Sequence, residues 1–217
     1  DLAEVLGMAL GIYLLTGLPL IWGVSITVLD TFLLLWLQQY GIRKLEAFII
    51  ALVLVIGVSF LIQILLAQPA LGAVAKGLIP TSLNPQALYI AVGIIGATVM
   101  PHNLYLHSAL VQTRKIGNDA ASIKKAIKYN FIDSTIALNA AFFVNAAILI
   151  LAATVFFNTG NTQVAKIEDA HQLLAPLLGS KMAPILFAIA LIAAGQSSTV
   201  TGTLAGQIVM EGYLKLR

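Results

Sequence analysis

Apolar residues along this chain gather into long runs, separated by short segments that contain glycine, proline or charged residues. The runs cover residues 2–15, 20–37, 45–66, 88–111, 127–157 and 183–210. A helix of about 20 apolar residues crosses the hydrocarbon core of a bilayer. The runs lack the alternation of apolar and polar positions that is typical of an outer-membrane barrel. The pattern therefore predicts an all-α membrane protein with six spans in a single transmembrane domain.

Residues that interrupt helices affect the prediction at two places. Gly17-Leu18-Pro19 predicts a tight turn between the first two runs, because proline disfavours helical dihedrals in the residue before it and suits the first turn of a helix. The polar stretch Gly195-Gln196-Ser197-Ser198-Thr199 allows either a loop between two short spans or a polar patch inside one long span.

Basic residues distinguish these two alternatives, since cytoplasmic loops of membrane proteins collect lysine and arginine. With one long span, one side of the membrane carries most of the cations, which are Arg43, Lys44, Arg114, Lys115, Lys124, Lys125, Lys128, Lys215 and Arg217. The other side carries Lys76, Lys166 and Lys181. We therefore expect one span, with loops 38–45 and 112–128 and the C-terminal end in the cytoplasm.

Composition supports this class and excludes others. Hydrophobic residues make up 59% of the 217 positions, charged residues make up 10%, and the mean hydropathy is +0.96. Because the net charge of +3 follows from membrane topology, it does not indicate a nucleic-acid partner. The absence of cysteine excludes disulfides and thiolate chemistry. The chain opens on Asp1 rather than methionine, so we expect an internal piece of a longer protein.

Acidic side chains inside the apolar runs are candidate functional groups. Asp1 and Glu4 are three residues apart and share one face of the first predicted helix. Ionisable residues in a bilayer normally face a protein interior or a wet cavity, and desolvation beside a like charge favours the protonated carboxyl. The pair predicts a proton or cation relay, with a solvent-wetted helix end as the alternative. Asp133, near the basic rim, predicts a surface ion pair, and Asp30 is either a structural or a conduction residue.

The fourth run contains a proline at its midpoint, in Met100-Pro101-His102-Asn103. Pro101 has no N–H, so the carbonyl of Ala97 loses its usual helical partner. A soft thioether and an open carbonyl then lie close together, and thioethers favour transition ions over Mg²⁺ and Ca²⁺. These residues predict either a transition-metal site in a broken helix or, if Met100 only fills a gap in the packing, no site.

Further polar residues accompany this break. A histidine ring titrates near neutral pH, so His102 at the break is a candidate for proton handling. His107 lies on a different face of the helix, so we do not expect the two histidines to bind one ion together. Asn103 and His107 are secondary candidates, and so is Gln196 in the last run. His171 is expected to be a solvated loop residue. The glycines Gly195, Gly202 and Gly206 indicate close packing of the last helix.

Three stretches resemble the Nramp family of proton-coupled divalent metal transporters. MPHNLYLHSALVQTR, from Met100 to Arg114, closely resembles the sixth-helix signature of that family. DLAEVLG, from Asp1 to Gly7, is similar to its third helix, and GQSSTVTGTLAGQIVMEG, from Gly195 to Gly212, is similar to its eighth. The chain thus resembles the third to eighth helices of a bacterial member.

The resemblance implies a leucine-transporter-like fold of two inverted repeats, here incomplete, in which broken helices hold the substrate. It implies that Met100 and the carbonyl of Ala97 are metal ligands, and that His102, Asp1 and Glu4 belong to the proton path and its gates. The remaining ligands, in an Asp-Pro-Gly-Asn stretch of the first helix, are missing from this chain. Mn²⁺ or Fe²⁺ and protons are then transported substrates, with no resident cofactor, in a multi-pass protein of the inner cell membrane.

Other functions lead to different expectations. A sodium-coupled amino-acid or solute carrier on the same fold would use Ser198 and Thr201 to hold an ion. An intramembrane enzyme would pair His102 with Glu4, but the chain carries no nucleophile motif or His-Glu-x-x-His helix, so we expect no enzyme. A subunit that only packs in a larger complex would tolerate leucine at position 100.

Overall fold

A computed structural model describes residues 2–79, 81–114, 116–161, 164 and 166–214, apart from the side chains of residues 30, 31, 34, 35, 38, 42 and 102. Asp1 and the side chains of Asp30 and His102 therefore lie outside the described part. The described chain is helical, with no β-strand in it. Its helices are α1 (Leu2–Thr16), α2 (Leu20–Gln39), α3 (Ile42–Ala67), α4 (Leu71–Gly77), α5 (Pro85–Thr98), α6 (Pro101–Gln112), α7 (Ala120–Ala152), α8 (Ile167–Leu178) and α9 (Met182–Leu214).

Within the described residues, four helical stretches are long and apolar enough to cross a membrane, namely Arg43–Ala67, Pro85–Gln112, Ala120–Phe157 and Met182–Leu214. Leu2–Thr16 and Leu20–Leu29 are shorter apolar helices. The polar stretch that begins at Gly195 lies inside α9, which is one continuous helix. That six segments cross the membrane remains a prediction.

The chain divides into two compact units. The first comprises Asp1–Pro69 and Asn139–Val200, and the second comprises Ala70–Leu138 and Thr201–Arg217. In the first unit, α1 and α2 form a hairpin. The N–H of Gly17 donates to the carbonyl of Tyr13 at 2.8 Å, and the φ of +74° at Gly17 reverses the chain at the predicted turn.

Glycine lets the two helices of this hairpin approach closely. A Cβ added at Gly23 would lie 2.9 Å from the carbonyl oxygen of Ala9 and 3.1 Å from its Cβ. Ala9 is fully buried. Small residues of this kind allow the backbones of membrane helices to come into van der Waals contact. This contact is a main source of attraction between helices in a membrane, because lipid tails are as apolar as the side chains and the hydrophobic effect does not drive association there.

A second cluster of the first unit forms where α7 ends. A π-helical turn, Ala153–Phe157, follows α7, and the N–H of Asn158 donates to the carbonyl of Ala153 at 3.0 Å. The short helix α8 packs there through Leu174, which is 1% exposed. The buried residues of this cluster are Phe60, Leu151, Val155, Leu174, Ala183 and Ala190. The sequence analysis placed no helix at α8, because its apolar run is interrupted by polar residues.

In the second unit, α7 begins seven residues before the apolar run that predicted it, because Asp119 caps its start. The Asp119 carboxylate accepts a hydrogen bond from the N–H of Ser122 at 2.9 Å, and the Asp119 carbonyl accepts one from Ile123 at 3.1 Å. The hydrogen bonds from Ser122 hold the pKa of Asp119 below its usual value of 3.8. The chain thereby satisfies donors at the helix start that have no partner within the helix.

The cap at Asp119 gives a testable pH dependence. Because the folded pKa is lowered, the cap stabilises the start of α7 above the unfolded pKa and is lost as the pH falls through the folded pKa, below about 3.8. We expect the hydrogen-exchange protection of the Ser122 amide to fall in that pH range and to be reduced at neutral pH in Asp119→Ala. Asn118→Ala is the control. Equal protection in Asp119→Ala and wild type would contradict the capping role.

Candidate metal site at a helix break

The apolar stretch from Pro85 to Gln112 is interrupted at Val99 and Met100. Both residues are extended, with φ of −92° and ψ of 93° at Val99 and φ of −98° and ψ of 109° at Met100. The N–H of Val99 still donates to the carbonyl of Ile95 at 2.9 Å, and this is the last backbone bond into α5 among the described residues. Pro101 occupies the first position of α6. An N–H at that position has no partner within the helix, so the missing N–H of proline does not weaken α6.

The two predicted ligands lie at this interruption, Ala97 in the last turn of α5 and Met100 directly before α6. In a continuous helix the carbonyl of Ala97 would accept from residue 101, but Pro101 has no proton to donate. Met100 is half-buried and ends the extended link, with its carbonyl accepting from the N–H of Asn103 at 3.1 Å. Unsatisfied carbonyls at membrane depth normally line a cavity or bind an ion. The break thus carries one soft sulfur, from Met100, and one carbonyl, from Ala97, that Pro101 cannot satisfy.

The first turns of α6 carry the secondary candidates. Asn103 and His107 are both exposed, while Leu106 is buried. The hydroxyl of Ser108 donates to the carbonyl of Leu104 at 2.8 Å and so stays on its own helix. The side chain of His102 lies outside the described residues.

Glu4 and Gln196 belong to the first unit. Glu4 lies near the start of α1, and its Oε2 atom is buried. Gln196 lies on α9 and is 7% exposed. The backbones of these two helices meet at Gly195, where an added Cβ would be 2.9 Å from the carbonyl oxygen of Glu4. Both candidates therefore lie beside one tight contact between helices, whereas Asp1 lies outside the described residues.

The described residues contain no group of three or more His, Asp or Glu side chains that could hold a metal ion together. The candidate ligands at the break are the Met100 sulfur and the Ala97 backbone oxygen. These ligands suit softer transition ions better than Ca²⁺, which takes six to eight oxygens.

Charged residues outside the break have other roles. Arg114 donates to the carboxylate of Asp133 at 3.0 Å, which confirms the predicted surface ion pair. Exposed pairs of this kind contribute about 0–1 kcal/mol. The prediction for His171 was wrong, because it lies on α8, half-buried, with its ring 6.4 Å from that of Phe187. Burial lowers the pKa of His171, and a hydrogen bond to the carbonyl of Pro184 partly opposes this shift.

Three buried polar residues escaped the sequence analysis. Thr27 is 4% exposed, and its hydroxyl donates to the carbonyl of Val24 at 2.6 Å. Ser59 and Gln63 on α3 are 3% and 0% exposed, and the Gln63 side-chain amide donates to the carbonyl of Ser59 at 3.3 Å. The Oε1 atom of Gln63 is buried and has no hydrogen-bond partner among the described residues. A glutamine in a long apolar run was the available signal, since polar side chains at that depth are costly.

Comparison with known proteins covers the whole chain. The sequence profile of the family described as "Natural resistance-associated macrophage protein-like" (Nramp) matches residues 1–217. The chain is 56% identical over 220 residues to the divalent metal cation transporter MntH of Listeria welshimeri, with 100% of this chain and 49% of that protein covered. The corresponding protein of Agrobacterium fabrum is 57% identical, with 48% of its length covered.

Solved structures give a similar result. Crystal structures of the Eremococcus coleocola manganese transporter match with a TM-score of 0.89 and 44% identity, over 100% of this chain and 48% of that one. One of them is in complex with an aromatic bis-isothiourea substituted compound. The chain thus spans about half the length of the relatives it matches.

Gln63 provides a test of how buried polar groups contribute to this fold. The long hydrogen bond of the Gln63 amide offsets little of the free-energy cost of burying this side chain, and the unpaired oxygen adds to that cost. An apolar side chain of similar size at this position is therefore expected to leave the stability of the fold unchanged or to raise it. We expect Gln63→Met in the full-length protein to match or exceed the wild-type melting temperature in detergent. Gln63→Ala, which leaves a cavity, should cost about 2 kcal/mol or more. A marked loss of stability in Gln63→Met would show that the amide has an essential partner.

Proposed function

Because the chain belongs to the Nramp family, we propose that it is part of a secondary transporter that moves Mn²⁺, Fe²⁺ or similar divalent ions into the cytoplasm. The family resemblance found in the sequence is thereby confirmed. Its relatives are named as transporters of divalent metal cations or manganese, and not as enzymes. The metal is then cargo rather than a resident cofactor.

The observation that carries this proposal is the helix break at Val99 and Met100. It interrupts an apolar stretch of 28 residues. Broken helices near the midplane are where secondary transporters bind substrate, because their open backbone groups replace the water around an ion. We propose that the Met100 sulfur and the Ala97 carbonyl are two of the ligands of the metal. The thioether favours Mn²⁺ and Fe²⁺ over Ca²⁺ and Mg²⁺.

Two ligands do not complete a metal site. Hard and borderline divalent ions take four to eight ligands in proteins. We propose that the remaining ligands come from helices of the full-length protein outside this chain, together with water. The chain thus carries half of the site and requires the rest of the protein for transport.

We propose that uptake is coupled to protons through Glu4, Asp1 and His102. Binding of metal and proton would bias the equilibrium between outward- and inward-open states, because each ligand favours the state that holds it better. The buried carboxylate oxygen of Glu4 supports this role, since intramembrane acids often relay protons in transporters. Asn103, His107 and Gln196 are secondary candidates.

The proposed location is the inner cell membrane. Several apolar helices support a multi-pass protein. We propose that the loops 38–45 and 112–128 and the C-terminal end face the cytoplasm, because most lysines and arginines lie there.

Replacement of Met100 tests the metal ligand. We expect the full-length protein in liposomes to take up Mn²⁺ in the presence of excess Ca²⁺. In Met100→Ala, discrimination against Ca²⁺ should fall roughly tenfold, equivalent to about 1.4 kcal/mol. The reason is that the variant lacks the thioether, which binds Ca²⁺ poorly. Met210→Ala is a matched control, since Met210 is 55% exposed on α9. If Met100→Ala discriminated against Ca²⁺ as strongly as wild type, the Met100 sulfur would be excluded as a metal ligand.

Replacement of Glu4 tests the proton path. Glutamine keeps the shape of Glu4 but cannot release a proton. We expect an inward proton gradient to stimulate Mn²⁺ uptake by wild type, and to stimulate Mn²⁺ uptake by Glu4→Gln weakly or not at all. Glu211→Gln, at an exposed position on α9, is the control. Equal stimulation of wild type and Glu4→Gln would exclude Glu4 from the coupling.

A further inference from the structure

The first turns of α7 extend beyond its apolar run and carry three lysines. α7 begins at Ala120, whereas the apolar run begins at Ile127. Lys124, Lys125 and Lys128 lie at this boundary, and all three are exposed. The helix and the π-helical turn that follows it form one of the stretches that are long and apolar enough to cross a membrane. A span of this kind places the three lysines where the hydrocarbon core ends and the phospholipid headgroups begin.

The three lysines share one side of α7, and we call them the lysine cluster. Each residue of a helix advances about 100° around the axis, so Lys124, Lys128 and Lys125 lie, in that order, within a sector of about 100°. Lys124 and Lys128 are four residues apart, which places them one above the other at a separation of about 6 Å along the axis. Positive charge is thus concentrated on one side of the helix instead of being spread around it.

Acidic side chains near the lysine cluster are occupied elsewhere. No aspartate or glutamate occurs in residues 120–132. Asp119 caps the start of the helix through its carboxylate. Asp133 lies about 180° around the helix from Lys124, and its carboxylate pairs with Arg114 at 3.0 Å. The lysine cluster therefore keeps a net positive charge that an anion can balance.

Tyr129 indicates the depth of the lysine cluster in a membrane. The Nζ atom of Lys125 lies 5.9 Å from the centre of the Tyr129 ring, and the ring is exposed as well. A cation over an aromatic face is attracted by the charge distribution of the ring. Tyrosine is enriched at the level of the headgroups, because its ring is apolar and its hydroxyl is polar. Tyr129 and the end of the apolar run thus indicate the same depth, at the membrane surface.

Beyond the lysines, the same side of α7 is apolar and exposed. Phe131 and Leu138 follow Lys124 at intervals of seven residues, lie within about 40° of it around the axis, and are both 71% exposed. We call these two residues the apolar stripe. Leu138 lies about 15 Å beyond Lys128 along the helix, which is roughly the hydrocarbon thickness of one leaflet. This side of α7 thus combines positive charge at headgroup level with an apolar surface as long as one layer of acyl chains.

We propose that this side of α7 binds an anionic phospholipid, with its phosphate on the lysine cluster and an acyl chain along the apolar stripe. Lysine stems lie along apolar surface while their ammonium groups reach polar surroundings, which suits this arrangement. Phosphatidylglycerol has a net negative charge that complements the cluster, whereas phosphatidylcholine has no net charge. The proposal goes beyond metal transport. Its one link to the proposed function is that the lipid would belong to the cytoplasmic leaflet.

Native mass spectrometry of the full-length protein in detergent tests this binding without a gradient or a membrane orientation. Phosphatidylglycerol and phosphatidylcholine with identical acyl chains are titrated separately. We expect wild type to bind phosphatidylglycerol more tightly, and we expect this preference to shrink as ammonium acetate is raised from about 0.1 M to 1 M. In Lys124→Gln/Lys125→Gln/Lys128→Gln, the Kd for phosphatidylglycerol should rise about tenfold or more, because each lysine near an anionic lipid surface contributes roughly a fivefold gain in binding.

Matched variants separate local binding from an effect of net charge. Lys76→Gln/Lys166→Gln/Lys181→Gln removes the same charge at three other exposed lysines and should leave the Kd for phosphatidylglycerol unchanged. Arginine at all three positions of the lysine cluster should also preserve binding, since the charge is kept. Phe131→Ser should weaken the binding of both phospholipids, because contact with the acyl chain is lost.

Equal binding of the two phospholipids by wild type would overturn the proposal, and this result is expected if other helices of the full-length protein cover this side of α7. An equal Kd for phosphatidylglycerol in wild type and in the triple glutamine variant would also overturn it. So would displacement of phosphatidylglycerol by an equal concentration of inorganic phosphate, because the acyl chain would then add nothing.

A variant that fails to fold does not prevent the test. If the triple glutamine variant is unstable, Lys124→Gln alone and the salt dependence of wild type give the comparison, and unchanged binding in both would contradict the proposal. Phospholipid binding is measured without Mn²⁺. A failure of this proposal is therefore distinguishable from a failure of the proposed transport function.

Discussion

The absence of a proton donor at Pro101 is the constraint on which the candidate site depends. In a bilayer, each backbone N–H and C=O needs a partner within the protein, because lipid tails offer none. Pro101 cannot satisfy the carbonyl of Ala97, and the chain responds by ending α5 at Thr98 and starting α6 at Pro101. Two extended residues, Val99 and Met100, separate the helices. In our proposal, an ion takes the place of the missing donor there.

A second constraint acts on the first unit, where helices approach as closely as glycine allows. Gly23 meets Ala9, and Gly195 meets the turn of Glu4, so that α1 is held by α2 and by α9. Such contacts depend on shape, and they let the helix backbones come into van der Waals contact.

Local chemistry made part of this structure predictable. The helix break follows from Pro101 and the first turn from Gly17, because both act through dihedral angles and backbone hydrogen bonds of their own neighbours. The all-α class followed from the apolar runs, and the leucine-transporter-like fold followed from the family resemblance. Both are confirmed by the helical structure and by the match to the manganese transporter structures. The early start of α7 was missed, because the capping bond of Asp119 lies outside the apolar pattern. The amphipathic helix α8 was missed because polar residues interrupt its apolar positions.

Features that depend on distant partners were harder to predict. Among the glycines of α9, the prediction of close packing is confirmed for Gly195, whereas no described atom lies within 4 Å of a Cβ added at Gly206. The sequence pattern does not reveal which glycine faces a neighbouring helix. The full burial of Gln63 also arises from tertiary packing. The predicted roles of Met100, Ala97 and Glu4 rest on chemistry and resemblance, and remain proposals.

The most direct measurement of the central claim is the Mn K-edge X-ray absorption spectrum of the full-length protein with bound Mn²⁺, in wild type and in Met100→Leu. Leucine keeps the apolar volume at the break but removes the sulfur. Our account predicts a metal–sulfur scattering contribution in wild type that is lost in the variant, while oxygen scattering persists in both. A wild-type spectrum with only oxygen and nitrogen neighbours would show that Met100 does not bind the ion and would contradict the account.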